Sequence, residues 1–161
     1  MTNTKLPKLP DLKLLNTDEY CRLDGYSLQN ELRLNSPMND RHFESSVLDT
    51  LTNFAFHLSD DFLEHKDRCI TYIDGMYYFT FVNTAEKKYI YTENCLNYFS
   101  GNLTLLEFSF LCNLMTLSNL SIQSKDSQET KYLVYRYNKV RELMLKNKDQ
   151  LDMEKLNLAL A

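Results

Sequence analysis

Apolar residues recur at helical spacing along much of the chain. Between residues 43 and 62 they fall three and four apart on one face, which predicts an amphipathic helix. A second helix is predicted from Thr104 to about residue 121, and it is apolar on nearly every side, so we expect it to form the buried centre of the core. Thr104 is a suitable N-cap for this helix, and Glu107, three residues later, completes a capping box.

A polar connector at residues 123–130 separates the central helix from two more predicted helices. The first of these covers residues 131–146 and has an apolar stripe made of Leu133, Tyr137, Val140 and Met144. Its outer face is expected to carry Lys131, Arg136, Lys139, Arg141 and Lys146. The last helix is shorter and covers residues 152–160.

Strands are predicted between the first two helices. Residues 69–83 form two β-branched and aromatic runs around Asp74-Gly75, a dipeptide typical of a two-residue hairpin turn. Residues 88–92 form a third strand, and an antiparallel meander is the simplest arrangement because a lone hairpin is only marginally stable. The expected fold class is therefore α+β, with a small antiparallel sheet of about three strands packed with about four helices in a single domain.

The first 42 residues differ from the rest of the chain. They contain all three prolines, and their apolar residues follow no sustained period, so we expect an irregular N-terminal segment packed on the body. The folded domain is expected to span residues 43–161.

Composition and charge narrow the class of function. The net charge of −4 and the pI near 5.4 provide neither the basic patch of a nucleic-acid-binding protein nor the dense negative charge that imitates DNA. Strong DNA binding is therefore not expected. The four cysteines form no CxxC pair and are expected to be reduced and packed. The sequence shows no signal peptide or membrane span, so we expect a cytoplasmic protein that does not bind a membrane.

Polar side chains do not converge on an obvious reactive centre. His57, Asp61 and His65 are spaced at four-residue steps, but the two histidines would lie about 12 Å apart along a helix axis, too far to share one metal ion. The sequence contains no GxSxG nucleophile motif and no glycine-rich phosphate loop. We therefore expect no enzymatic activity, no metal and no cofactor.

Five tyrosines in the predicted strands offer another possibility, a platform on which nucleic-acid bases stack. They are Tyr72, Tyr77, Tyr78, Tyr89 and Tyr91. Asp74, Glu86 and Glu93 border these strands, whereas such a platform needs a basic groove. Cross-strand aromatic pairing that stabilises the sheet is the simpler interpretation.

The best candidate for a functional site is the loop predicted just before the central helix. It consists of Asn97, Tyr98, Phe99, Ser100, Gly101 and Asn102. Gly101 allows the backbone a positive φ at this point, and a loop held by a rigid scaffold often carries function. Alternatively, Tyr98 and Phe99 fill the core.

Short motifs at the junctions between elements form an ordered series. They are DGMYYFTFVN at residues 74–83, Asn97-Tyr98-Phe99 followed by Gly101, the Thr104 cap, Leu-Ser-Asn-Leu at residues 117–120, and a Tyr-Arg-Tyr helix from Tyr135. In this order they resemble the ArdB/KlcA family of antirestriction proteins, which plasmids, phages and other mobile elements carry. The resemblance covers residues 43–160 and leaves the N-terminal segment outside it.

The resemblance implies an α/β domain that inhibits host type I restriction of unmodified DNA without catalysis and without imitating DNA. The implied partner is a host defence protein. It is either the type I restriction-modification complex itself or another host factor that acts on this complex. Residues 97–102 are the possible partner-binding loop.

The chain departs from the family pattern in the first turn of the central helix and at its C-terminus. Leu106, Glu107, Phe108 and Ser109 stand where the family usually has an acidic residue followed by small ones. These departures keep open an alternative function, a protein-interaction module such as an adaptor or immunity protein that has the same fold and another target.

Overall fold

The computed structural model describes residues 21–22, 43–64, 68–73, 76–81 and 89–161. The α-helices of this part of the chain are α1 (Phe43–Leu58), α2 (Leu105–Gln123), α3 (Ser127–Lys146) and α4 (Met153–Leu160). The strands are β1 (Cys21–Arg22), β2 (Arg68–Ile73), β3 (Met76–Phe81), β4 (Tyr89–Asn94) and β5 (Phe99–Thr104). Short 3-10 helices lie at Asp60–Glu64 and Lys148–Gln150. The α+β class and the helices predicted from the sequence are confirmed.

Helix α2 is the centre of the core, as its apolar sequence predicts. It contacts α1, α3 and α4 and also strands β3, β4 and β5. The predicted capping box is present, since the Thr104 hydroxyl accepts a hydrogen bond from the Glu107 N–H (3.1 Å) and Glu107 Oε1 accepts one from the Thr104 N–H (2.9 Å). Phe108, Phe110 and Leu111 are completely buried. Burial on several faces explains why Glu107 is the only charged residue of this helix.

Length and composition would also allow α2 to cross a membrane. However, 61% of its most apolar stretch is already buried inside the protein. A central core helix meets the same length and composition criteria, and packing between three helices and two hairpins accounts for the apolar sequence here.

The strands form two separate antiparallel sheets. In the first, β2 pairs with β3 as the predicted hairpin and also with β1, in the order β1-β2-β3. The Asp74-Gly75 turn of this hairpin lies outside the described residues, as does most of the predicted N-terminal segment.

The strand predicted as the third member of a meander pairs elsewhere. This strand, β4, pairs with β5 in its own two-stranded sheet, so the prediction of a three-stranded meander containing β4 is wrong. Ile90 on β4 faces Leu103 on β5, and both are completely buried. Only residues 95–98 separate the two strands, so closing this hairpin costs less chain entropy than pairing β4 with a more distant strand.

A charged side chain bonds one backbone group at each outer edge of the β4–β5 sheet. At the β4 edge, Asp61 Oδ2 accepts a hydrogen bond from the Tyr91 N–H (3.4 Å). At the β5 edge, Lys155 Nζ donates to the Asn102 carbonyl (3.0 Å). Charged groups at sheet edges discourage pairing with other chains. These two contacts therefore oppose strand addition at Tyr91 and Asn102.

Helix α3 begins earlier than predicted. Asp126 is its N-cap and accepts hydrogen bonds from the Gln128 N–H (2.9 Å) and the Glu129 N–H (3.0 Å), so the polar connector is shorter than residues 123–130. The predicted stripe is buried at Leu133, Val140 and Met144 and half-buried at Tyr137. The prediction that Arg136 lies on the outer face is wrong, because Arg136 falls between Leu133 and Val140 at helical spacing and is buried with them.

Candidate functional site: the β4–β5 turn

The predicted functional loop is a tight turn followed by a strand. Residues 95–98 form the turn, so only Asn97 and Tyr98 of the predicted loop belong to it. Phe99, Ser100, Gly101 and Asn102 lie in β5, where Ser100 and Asn102 are exposed and Phe99 and Gly101 are half-buried. The prediction of a continuous loop over residues 97–102 is wrong, because residues 99–102 pair with β4 as part of a strand.

Asn97 fastens the turn to the end of helix α4. Its side-chain amide lies within hydrogen-bonding distance of the carbonyls of Leu158 (3.2 Å), Ala159 (2.8 Å) and Ala161 (3.0 Å). Its Oδ1 accepts a hydrogen bond from the Phe99 N–H (3.1 Å). The last carbonyls of a helix have no partner within the helix. Asn97 therefore caps α4, and its side chain is already engaged within the protein.

Asn94 fixes the turn from its other side. Its amide donates to the Ala159 carbonyl (2.9 Å), and its Oδ1 accepts from the Leu96 N–H (3.1 Å). We call Asn94 and Asn97 together the asparagine clamp. Sequence reasoning overlooked Asn94, although two asparagines three residues apart around a short turn are typical of side chains that bond their own backbone.

Tyr98 has a left-handed backbone conformation, with φ of 62°. The expectation that Gly101 supplies the positive φ is wrong, since Gly101 lies in extended strand β5. A Cβ atom at Gly101 would lie 3.4 Å from Phe99 Cζ, an ordinary van der Waals distance, so the packing around Gly101 also leaves room for a Cβ atom. A tyrosine in the left-handed region is uncommon and costs about 1 to 2 kcal/mol. Such a residue persists only where its surroundings hold it, and here the asparagine clamp does so.

Three large apolar side chains project from this end of the molecule. Tyr98 is 92% exposed, Leu96 is 81% exposed, and Leu158, whose carbonyl contacts Asn97, is 58% exposed. We call Leu96, Tyr98 and Leu158 the apolar tip. Sequence reasoning did not find Leu96 or Leu158, because their pairing depends on the turn meeting the end of a helix about 60 residues later.

The two aromatic residues of the turn region have different roles. Phe99 is half-buried and packs against the core, so the alternative interpretation, that these aromatics fill the core, holds for Phe99. It does not hold for Tyr98, which is almost fully exposed.

The described cysteines differ in their surroundings. The expectation that the thiols are packed is correct for Cys112 but wrong for Cys95, which is exposed in the turn. Burial raises the pKa of the Cys112 thiol well above its usual value.

A second feature is a shallow pocket of about 140 Å³ beside the end of α1. It is lined by His57, Leu58, Ser59, Asp60, Asp61, Tyr91 and Glu93. The Ser59 hydroxyl accepts a hydrogen bond from the Asp61 N–H (3.1 Å), and Asp61 itself engages Tyr91, so part of the lining is used within the protein. Among the described residues, no three His, Cys, Asp or Glu side chains are grouped closely enough to hold a metal ion.

Comparison with known proteins identifies a similar fold. No protein-family model and no curated protein matches the sequence. A solved structure of the KlcA and ArdB proteins, described as a novel fold with antirestriction activity against type I DNA restriction systems in vivo but not in vitro, superposes with a TM-score of 0.61. The match covers 86% of this chain and 92% of that chain at 15% sequence identity. At this identity the similarity is one of fold, and it extends over nearly the whole of both proteins.

Proposed function

We propose that the protein is an antirestriction protein that protects incoming unmodified DNA from a host type I restriction system. The observation that carries this proposal is the fold shared with the KlcA and ArdB structure over 86% of the chain. The motif series at the element junctions supports it independently, because those motifs follow the same order along the sequence. Such a protein would be encoded on a plasmid or phage and would act in the cytoplasm of the host.

The proposed mechanism is inhibition through protein contact, without catalysis. The net charge of −4 is too small for an imitation of DNA, which carries about one charge per 1.7 Å of duplex axis. The KlcA and ArdB proteins act in vivo but not in vitro. An indirect route, through another host protein that acts on the restriction complex, would explain the same behaviour in this chain.

The departures at residues 106–109 affect the core rather than the exposed surface. Glu107, Phe108 and Ser109 are all buried, and Leu106 packs against the core. The large side chains of Leu106 and Phe108 therefore set the distance of α2 from its neighbours.

Plating efficiency tests the proposal. Unmodified phage is plated on cells with an active type I system that express the protein or carry the empty vector, and modified phage serves as the control for general fitness. We expect the protein to raise the plating efficiency of unmodified phage only. Equal restriction with and without the protein, across several type I systems, would show that the proposed activity is wrong.

The second candidate is an adaptor or immunity protein with another target, and the exposed apolar tip favours it as well because such a surface suits many protein partners. Affinity capture in the restricting host separates the two candidates. Recovery of a partner unrelated to restriction, together with unchanged phage plating, supports the second.

A further inference from the structure

We infer that the apolar tip, made of Leu96, Tyr98 and Leu158, is a preorganised contact surface that inserts into an apolar pocket of a protein partner bordered by basic side chains. The inference deepens the proposed function and rests on it for the identity of the partner. It differs from the predicted loop, since only Tyr98 is common to both and the other two residues come from the start of the turn and from α4.

Tyr98 has an unfavourable backbone conformation, and its side chain contributes nothing to the core. Its φ of 62° suits glycine or asparagine far better than tyrosine. A ring that is 92% exposed gains almost no burial in return. A residue whose backbone conformation costs free energy, and whose side chain does not pack in the core, is explained by a contact with another molecule.

The turn that carries Leu96 and Tyr98 is held in place by hydrogen bonds. The asparagine clamp holds both sides of the turn, with Asn94 bonded to the Leu96 N–H and Asn97 bonded to the Phe99 N–H. Both amides also reach the Ala159 carbonyl, which ties the turn to the helix that carries Leu158. The three apolar side chains therefore stand on one fixed framework. Binding loses little conformational entropy when the contact surface is already ordered, and tyrosine supplies a large area with few rotatable bonds.

The charges around the apolar tip indicate the class of partner. The turn residues 95–98 and the segment 158–161 contain no charged side chain. The nearest ones along the chain include Glu93, exposed one residue before Asn94, and Glu154, exposed one helical turn before Leu158. Lys155 is the nearby cation, and it is engaged with the Asn102 carbonyl. An apolar centre with acidic borders matches an apolar pocket with Lys or Arg around it.

The same charge pattern argues against nucleic acid and membrane as ligands of the apolar tip. Nucleic acid and anionic membrane surfaces both attract Lys and Arg, and the tip offers neither. A protein that handles DNA, in contrast, exposes basic surfaces near its own binding site. A partner of this kind would belong to the same machinery that the proposed function requires.

Site-specific photo-crosslinking tests the inference. The full chain, with p-benzoylphenylalanine in place of Tyr98, is expressed in restricting cells and irradiated, and the crosslinked species is identified by mass spectrometry. We expect one defined protein, with an apolar pocket bordered by Lys or Arg. The yield should fall at least about tenfold in the pair Leu96→Ser and Leu158→Ser, the loss typical of residues at the centre of an interface. Crosslinks to lipid, nucleic acid or a second copy of this chain, or none at all, would overturn the inference.

Two matched controls keep the result specific. Ile122→Ser alters another apolar residue, 80% exposed at the end of α2, and should leave the yield unchanged. Charge reversal at Glu93 and Glu154 to Lys should lower the yield, whereas Asp149→Lys, in the 3-10 helix before α4, should not. Equal effects of the test and control variants would show that the tip is not the contact surface.

Phage plating with the same variants separates this inference from the proposed function. Tyr98→Asn should lose protection, and Tyr98→Phe should retain it. If the wild-type protein protects and Tyr98→Asn protects equally well, the tip inference is wrong and the proposed function stands. If the wild-type protein gives no protection while the crosslink still depends on Leu96 and Leu158, the proposed function is wrong and the tip inference stands.

Discussion

Tyr98 has a backbone conformation that tyrosine rarely adopts. Its left-handed φ of 62° is held by the hydrogen bonds of two neighbouring asparagines, while its ring extends into solvent. The sequence therefore retains an aromatic residue at a position where a small polar one would fold more easily.

Replacing Tyr98 with asparagine should therefore not harm the fold. Asparagine tolerates the left-handed region, so Tyr98→Asn should leave the free energy of unfolding unchanged or raise it by about 1 kcal/mol. Tyr98→Val should lower it, because a β-branched residue is strained there. Urea denaturation of the three proteins measures the difference. A clear loss of stability in Tyr98→Asn would show that the ring does pack against the protein.

Cys112 predicts a pH dependence of stability. Burial raises the pKa of its thiol, so the folded state keeps the proton while the unfolded chain releases it above roughly pH 8.5. The contribution of this thiol is fully present below that pH and is lost as the pH rises.

We therefore expect the free energy of unfolding above that pH to fall more steeply in the wild-type protein than in Cys112→Ala, by up to about 1.4 kcal/mol per pH unit. Cys95→Ala, in the exposed turn, is the matched control and should keep the wild-type slope. Denaturation curves recorded over about two pH units above the unfolded pKa provide the measurement. Parallel slopes in all three proteins would contradict the prediction.

At the scale of elements, helices were predicted more accurately than strand partners. The capping box at Thr104 and the apolar run after it define α2 locally, because both signals lie within a few residues of the helix start. The partner of β4 is harder to predict, because β4 could form a hairpin with β3 before it or with β5 after it. Strand β5 was not predicted, because Gly101 and the polar residues beside it interrupt the alternation of apolar and polar residues that indicates a strand. Arg136 was misplaced for a related reason, since its charge suggested the surface while its spacing placed it in the core.

The asparagine clamp should contribute measurably to stability through α4. Asn97→Ala removes the donor that serves three carbonyls at the end of α4 and the acceptor for the Phe99 N–H. We expect a loss of about 1 to 2 kcal/mol, the range for a capping side chain, and faster amide exchange in α4. Asn102→Ala, an exposed position in β5, is the control and should change stability by less than about 0.5 kcal/mol. Similar losses in both variants would argue against the clamp.

The charged contacts at the sheet edges predict behaviour in concentrated solution. Removing both edge contacts in the double variant Asp61→Ala, Lys155→Ala leaves the Tyr91 N–H and the Asn102 carbonyl free to pair with another chain. We expect concentration-dependent self-association in analytical ultracentrifugation. The double variant Asp49→Ala, Lys131→Ala makes the same change in net charge on exposed helix positions and should sediment like the wild-type protein. Identical sedimentation of the two double variants would show that the charges do not guard the edges.

At the scale of the whole molecule, charge distribution argues for a protein partner. Helix α3 and the short 3-10 helix after it expose Lys131, Arg141, Lys146 and Lys148, but Glu142 and Asp149 directly follow two of these cations and the chain carries a net charge of −4. We expect no retention of duplex DNA in a gel-shift assay at physiological salt. Binding that weakens steeply with added salt would show instead that α3 contacts phosphates.

The candidate site could be located only in part from the sequence. The turn and Tyr98 were found because asparagine, glycine and aromatic residues cluster before a strong helix signal. Leu96 and Leu158 could not be joined to Tyr98, because no local pattern indicates that α4 ends beside this turn.

The asparagine clamp also sets when the tip can form during synthesis. Asn97 and the Ala159 carbonyl that it binds are 62 positions apart in the chain. At about 5 to 20 residues per second, the ribosome needs roughly 3 to 12 s to extend the chain from the turn to this carbonyl. Until then the β4–β5 hairpin exists without the helix that fixes its turn and supplies Leu158. The apolar tip is therefore complete only after translation has passed α4.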